Sequence, residues 1–259
     1  MNKLTIAEVK TQLQTINNSD DPFIKEIRND RRKGVQSALK QWEQRSKRRQ
    51  EAEKEFKERF KYENYFWNQG CQFIAGMDEV GRGPLAGPVV TCAVILKPTF
   101  DLIGVTDSKQ LTRKEREKLY LQIVNEAVEV SIAVNSAQVI DQMNIYAATQ
   151  DAMMTSINKL HHQPDHILVD AVPLPELPIE QTTLIKGDQK SISVAAASIV
   201  AKEYRDHLMH DYDRLYPGYD FAENMGYGTK AHLAGLKQLG ATPIHRRTFN
   251  PVPKYLKNK

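Results

Sequence analysis

The chain has 259 residues, 41% of them hydrophobic and 26% charged, with a net charge of +4 at pH 7, which suits a water-soluble protein with a full-sized core in one or two domains. Its longest apolar runs, 89–96 and 194–201, are too short to span a bilayer, and residues 1–10 contain no secretory core, so a membrane protein is excluded and the cytoplasm is expected. The two cysteines, Cys71 and Cys92, have neither a metal-binding spacing nor a flanking catalytic histidine, so idle thiols in a reducing compartment are expected.

Charge is unevenly distributed. Residues 1–70 hold 16 Lys and Arg against 11 Asp and Glu, whereas the remainder holds 20 against 21. A basic N-terminal arm fits a polyanionic partner, and it equally fits a solvated helix. Thr5 is placed to cap a first helix, and Asp21-Pro22 opens a second segment in which Phe23, Ile24, Ile27, Val35, Leu39 and Trp42 recur at helical steps. The spacing predicts a helical extension over 1–70, followed by a second domain over 71–259.

Beyond residue 71 strands alternate with helices. Strands are expected at 73–77, 88–96, 128–134, 166–170 and 182–185, and helices at 113–127, 144–161, 191–215 and 230–239. That order predicts an α/β fold with a mixed five-stranded sheet flanked by helices and a helical C-terminal part. Pro173, Pro175 and Pro178 mark an irregular loop, and a basic tail begins at His245. The small-residue run 195–198 is suited to close packing of a helix on the sheet.

The acids stand out within this frame. Asp78 and Glu79 are expected at the end of the first strand, Asp170 at the end of the fourth, and Asp188 just before a helix; carboxylates at strand ends of an α/β sheet tend to meet in one crevice. Like charges gathered there need a cation, and a divalent metal is the simplest. Adjacent strand residues point to opposite faces, so Asp78 and Glu79 reach one ion only if the strand twists or breaks, which Gly81 and Gly83 would permit. Asp188 is either a ligand or a helix cap; Lys186, Gly187, Lys190 and Ser191 around it form a setting suited to phosphate. Lys109, Lys186, Lys190 and Ser191 are candidate phosphate contacts. His161, His162, His207 and His210 fall on helical stretches with no companion ligands, so zinc is not expected.

Seven segments in order carry a family resemblance. They are Gly76-Met77-Asp78-Glu79-Val80-Gly81-Arg82-Gly83-Pro84-Leu85-Ala86-Gly87-Pro88, Asp107-Ser108-Lys109-Gln110-Leu111, Val169-Asp170, Lys186-Gly187-Asp188-Gln189-Lys190-Ser191, Ala195 through Lys202, Arg205-Asp206, and Gly226-Tyr227-Gly228-Thr229. Over 72–252 the chain resembles ribonuclease HII. The resemblance implies a ribonuclease H-like sheet, with Asp78, Glu79, Asp170 and Asp188 as catalytic ligands of two Mg²⁺ or Mn²⁺ ions. It implies a Gly81-Arg82-Gly83 turn that reads a ribose 2′-hydroxyl, with Tyr227 packed on the sugar beside it. The implied substrates are RNA–DNA hybrids and duplex DNA containing single ribonucleotides, cut on the 5′ side to give a 3′-hydroxyl and a 5′-phosphate by a monomer. Ala171 stands where glycine is frequent, and Val194 where isoleucine is common. Ribonuclease HIII is the nearest rival; Arg82 and the helical extension argue against it. A nuclease with DNA specificity or an idle nucleic-acid-binding module are more distant alternatives.

Overall fold

A computed structural model describes residues 4–256. The chain forms two compact units, Met1–Lys57 and Glu58–Lys259.

In the first unit, α1 (Ile6–Thr15) opens with a reciprocal cap: Thr5 Oγ1 accepts the Glu8 amide at 3.2 Å and Glu8 Oε2 accepts the Thr5 amide at 2.7 Å. Such a cap is worth about 1 kcal/mol. Asp21 caps α2 (Pro22–Ile27), whose first residue is a proline with no amide hydrogen to leave unpaired. The long helix α3 runs over Lys33–Arg59. Val9, Leu13, Ile24, Ile27, Val35, Leu39 and Trp42 bury together as this unit's core, and the Trp42 indole N–H donates to the Ile16 carbonyl at 2.8 Å.

The second unit begins with the end of α3 and with α4 (Lys61–Asn68), and is built on five strands: β1 (Ile74–Val80), β2 (Val89–Ile95), β3 (Glu129–Asn135), β4 (His166–Asp170) and β5 (Gln181–Leu184). Their order is β3-β2-β1-β4-β5, with β1 antiparallel to β2, β2 antiparallel to β3, and β1, β4 and β5 parallel. The connecting helices are α5 (Arg113–Glu126), α6 (Ala137–Met143), α7 (Ile145–Asn158), α8 (Gly187–Lys190), α9 (Ile192–Leu215), α10 (Phe221–Asn224) and α11 (Lys230–Leu239).

Side chains alternate across the sheet. Ala75, Met77, Ala93, Ile95, Ile167 and Val169 pack with Met153 and Ile157 of α7. On the other face Ile74, Leu168 and Leu184 meet Val194 of α9 and, partly buried, Tyr62, Phe66 and Trp67 of α4. The 195–198 run is fully or nearly fully buried, as close packing requires. Gly76 marks the tightest approach, because a β-carbon there would collide with the Ser193 and Val194 backbone.

The architecture matches the α/β expectation, with three local differences. β1 runs on to Val80, held by β2 through Asp78↔Cys92, Glu79↔Thr91 and Val80↔Val90, so Asp78 and Glu79 lie inside an unbroken strand and not at a break. The helix expected over 144–161 stops at Asn158. The Glu129 carboxylate takes up the His161 and His162 amides at 2.8 and 3.0 Å and both Nδ1 atoms at 2.9 Å, which draws those residues into a turn. The short helices α6, α8 and α10, and the 3₁₀ turns Ser108–Gln110 and Val252–Tyr255, are too brief to carry an amphipathic period.

Candidate active site

The pairing of β1 with β4 ends at Met77↔Val169, so the next residue on each strand is an acid. Alternation turns Asp78 and Asp170 toward the α9 face, and Glu79, next to last in β1, still lies close enough for Asp170 to act on its charge. Asp78 is buried, bonds Ser198 of α9, and its carboxyl sits well above the ordinary range because burial, then Glu79 and Asp170, oppose its charge. Burial and Asp170 likewise raise Glu79, against the pull of Arg82; Arg82 Nη1 donates to Glu79 Oε1 at 3.2 Å. Asp170 Oδ1 accepts the Gly187 amide at 2.9 Å. Asp188, buried in α8, is raised to about 6 by burial, then by Asp107 and Asp170. Asp170 thus acts on each of the other three acids, and Asp78 also feels Glu79 directly.

Among the described residues, no three His, Cys, Asp or Glu side chains stand in an arrangement that holds a metal ion. Glu79 is drawn to Arg82, and Asp188 bonds Asp107. The residues nonetheless suit a hard divalent cation. Every candidate donor is a carboxylate oxygen, the ligand type Mg²⁺ and Mn²⁺ prefer. Glu79 Oε2 is buried without a hydrogen-bond partner, and the mutual charge of Asp78, Glu79 and Asp170 is what a cation would relieve.

The glycine turn lies directly after β1. Gly81 has φ +89°, and a β-carbon there would strike the Arg205 side chain and come within 2.7 Å of the Pro88 carbonyl. Two fully buried arginines hold this turn. Arg246 donates from Nη1 to the Arg82 carbonyl at 2.8 Å, from Nε and Nη2 to the Gly87 carbonyl at 3.1 and 3.0 Å, and from Nη2 to the Gly81 carbonyl. Arg205 donates to the carbonyls of Pro88 at 2.9 Å, Met225 at 2.9 Å and Ala86 at 3.2 Å. Burial lowers Arg205 to about 10, and burial with Arg205 nearby lowers Arg246 to about 9, so both remain cations at neutral pH.

Tyr227 is half exposed, with Cε1 at 3.4 Å from a β-carbon built on Gly83, so its ring borders the turn. Its loop is fixed by a relay. The Thr242 amide donates to His245 Nδ1 at 2.9 Å, which leaves the His245 proton on Nε2; this nitrogen meets His232 Nε2 at 3.0 Å, and His232 Nδ1 bonds the Tyr227 carbonyl at 2.9 Å.

The other expected contacts divide. Lys109, Lys186 and Lys190 are exposed around the Asp188 turn, with Lys186 in a left-handed conformation at φ 57°. Ser191 does not face outward. It is fully buried, donates to Glu63 at 2.5 Å and accepts the Val194 amide at 3.2 Å, so its hydroxyl is committed to capping α9. The histidines also lie elsewhere: His161 and His162 serve Glu129, and His207 lies 3.8 Å from Glu203.

Sequence reasoning gave no separate role to Asp107, Ser198, Arg205 or Arg246. Asp107 is nearly buried. Burial opposes its charge, but the Lys109 amide and the Gln189 side chain hold it below the usual carboxylate range. Ser108 Oγ lies 3.0 Å from Ser198 Oγ, which joins the Asp107 turn to α9 beneath Asp78. For Asp107, Ser198 and Arg205 the available signal was their place in the seven ordered segments; Arg246 lies outside all of them.

Comparison with known proteins agrees with this arrangement. The family model described as Ribonuclease HII matches residues 75–252, and one described as Ribonuclease HII N-terminal domain matches residues 5–67. Ribonuclease HII of Limosilactobacillus reuteri is 74% identical over 99% of this chain and 100% of its own length. The crystal structure of ribonuclease H2 from Pyrococcus horikoshii OT3 superposes with a TM-score of 0.62 at 27% identity, covering 71% of this chain and 97% of that one. Bst-RNase HIII in complex with Mn²⁺, at 19% identity and a TM-score of 0.55 over 71% of this chain and 68% of that one, shares the fold. Among the described residues no helix is long and apolar enough to cross a membrane. By sequence, family model and architecture together, the chain belongs to the ribonuclease HII family, and it is a type 2 ribonuclease H.

Proposed function

We propose that this enzyme cleaves the RNA strand of RNA–DNA hybrids and nicks duplex DNA on the 5′ side of single embedded ribonucleotides, leaving a 3′-hydroxyl and a 5′-phosphate. The observation that carries the reading is the meeting of Asp78 and Asp170 where β1 and β4 part, immediately before a turn whose carbonyls are clamped from behind by Arg246. Carbonyls drawn backward leave the amide edge of Gly81, Arg82 and Gly83 available to a hydroxyl in front.

In this reading Asp78, Glu79, Asp170 and Asp188 hold two divalent ions, Mg²⁺ or Mn²⁺. When bound, such ions lower the pKa of water and stabilise charge on a leaving oxygen. The chain's own residues select and align. Gly81, Arg82 and Gly83 engage the 2′-hydroxyl, and Tyr227 packs on the sugar and shares that contact. A pocket built for one hydroxyl rejects a deoxyribose by a factor of about 10⁴ because its polar groups would be left unpaired. Lys109, Lys186 and Lys190 meet phosphates without reading sequence. Ser191 contributes from within, by holding α9.

We assign residues 1–70 as a basic extension and 71–259 as the catalytic domain, acting as a cytoplasmic monomer. The test is an end-labelled DNA duplex with one ribonucleotide against the same duplex with none, each with Mg²⁺, with Mn²⁺ and with a chelator. Metal-dependent nicking of the first duplex alone, 5′ of the ribonucleotide, is expected. Equal cutting of both duplexes would refute the ribose-reading role of the turn.

A further inference from the structure

Glu63 lies outside the matched catalytic segment 75–252 and inside the N-terminal match over 5–67, yet its side chain is 1% exposed. It belongs to α4, in the same compact unit as the sheet. Its Oε1 accepts three hydrogen bonds, from Ser191 Oγ at 2.5 Å, Ser193 Oγ at 2.6 Å and the Ser193 amide at 3.0 Å. An ordinary helix cap uses the serine alone. Here a carboxylate from another helix is added behind the serine, at the amino end of the 24-residue α9, where the helix dipole favours negative charge.

The consequence reaches the acids. The Ser191 amide donates to the Gly187 carbonyl at 2.9 Å, and the Gly187 amide donates to Asp170 at 2.9 Å. The four residues of α8, with Asp188 among them, are therefore suspended between two fixed points: Asp170 at one end and the Glu63-held Ser191 at the other. Ser193, the second residue gripped by Glu63, is the one whose backbone lies against Gly76, two residues before Asp78. One carboxylate thus holds the start of α9 against β1 and sets the height of the Asp188 turn. Aromatic packing keeps α4 in place: Tyr62, Phe66 and Trp67 lie on Ile74, Leu168, Leu184 and Val194, and the Phe66 ring stacks on His166 at 3.6 Å.

We infer that Glu63 is a positioning residue for the metal-binding acids, acting through Ser191 and Ser193 on Asp188, so that the segment preceding the catalytic fold supplies part of the active centre's support. The inference rests on the reading of Asp188 as a metal ligand.

The experiment uses the full chain with Glu63→Gln, Glu63→Ala, Ser193→Ala and Asp188→Asn. Mn²⁺ binding is titrated by electron paramagnetic resonance without substrate, thermal unfolding is followed in chelator, and kcat and KM are measured on a duplex with one ribonucleotide. Glu63→Ala is expected to weaken Mn²⁺ binding about tenfold and to lower kcat with KM for the duplex unchanged. Glu63→Gln, which keeps one acceptor oxygen, is expected to lose less, and Ser193→Ala to fall between wild type and Glu63→Ala. If Glu63→Ala does not fold, Glu63→Gln and Ser193→Ala carry the same test. Wild-type Mn²⁺ binding in every folded Glu63 and Ser193 variant, beside weakened binding in Asp188→Asn, overturns the inference and leaves Glu63 as a helix cap only. Wild-type Mn²⁺ binding in Asp188→Asn overturns the ligand assignment itself and, with it, this role.

Discussion

Arg246 Nη1 donates to the main-chain carbonyl of Arg82 at 2.8 Å, so a residue from the C-terminal tail fixes the turn that follows β1. Arg246 is fully buried, and the groups it touches with hydrogen bonds are carbonyls of Gly81, Arg82 and Gly87. Its removal would leave those oxygens unpaired inside the protein. Arg246→Met is therefore expected to cost about 3 kcal/mol or more of stability, measured by urea unfolding. Arg246→Lys keeps the charge and loses the planar fork; it is expected to retain metal binding while its ribonucleotide nicking falls about 100-fold, the scale of a 1 Å displacement at a reacting centre. A lysine variant that nicks at the wild-type rate would show that the clamp is not needed for recognition.

Asp78→Asn tests the other half of the site. Turnover should drop by about 10³-fold or more while duplex binding survives, because the side chain is buried and the proposed phosphate contacts of Lys109, Lys186 and Lys190 are untouched. In chelator the same variant should melt a few degrees higher, since about 1 kcal/mol shifts Tm by roughly 2–4 °C in a protein of this size and the substitution removes a charge opposed by burial, Glu79 and Asp170. Calorimetry with and without Mg²⁺ checks both signs. Unchanged or lower Tm in chelator would mean that these carboxylates do not repel one another.

Tyr227→Phe removes only a hydroxyl from a half-exposed ring. Stability should stay within about 0.5 kcal/mol, and kcat/KM at a single ribonucleotide should fall about tenfold, the equivalent of one hydrogen bond of roughly 1.4 kcal/mol. Competition between a duplex with one ribonucleotide and a long hybrid reads the effect directly. Equal rates for wild type and variant would remove the phenol from the recognition surface.

Stability should also depend on pH through the buried histidine pair. His245 is lowered from 6.5 to about 4 by burial and then by His232, so it stays neutral in the fold while an unfolded chain protonates it below about pH 6.5. The unfolded state then binds more protons, and stability, full above that pH, is lost progressively as pH falls toward 4. The advantage of wild type over His245→Gln in urea midpoint should shrink in the order pH 7.5, 5.5 and 4.5, a comparison in which the opposite effect of the raised acids Asp78, Glu79 and Asp188 cancels. At Glu129 burial is the largest single influence and opposes the charge, but the His161 and His162 amides and rings together outweigh it and hold the group at about 2, so it adds its own loss only below about pH 4.5; a wild-type advantage over the His245 variant that stays flat between pH 7.5 and 5 would count against the histidine relay.

The legible parts of the fold were those with long local patterns. β4 and α11 coincide with the segments expected over 166–170 and 230–239, α11 being capped by Thr229. What escaped was non-local. Nothing in the run from His245 onward says that Arg246 turns inward, because its partners are carbonyls more than 150 residues away. The end of α7 depends on Glu129 in another strand, and the commitment of Ser191 depends on Glu63. The acids were visible as residue types in a suggestive order, whereas their mutual influence through Asp170 depends on where the pairing of β1 and β4 stops.

At Gly76 the main chain of α9 occupies the volume a β-carbon would need. Strand and helix there touch without intervening side chains, so no compensating change of residue size can absorb a shift between them. Substituting even alanine would pry apart the two elements that carry Asp78 and its Ser198 partner. A position with no side chain to offer chemistry is thereby as intolerant of mutation as the acids it aligns, and its loss should mimic theirs.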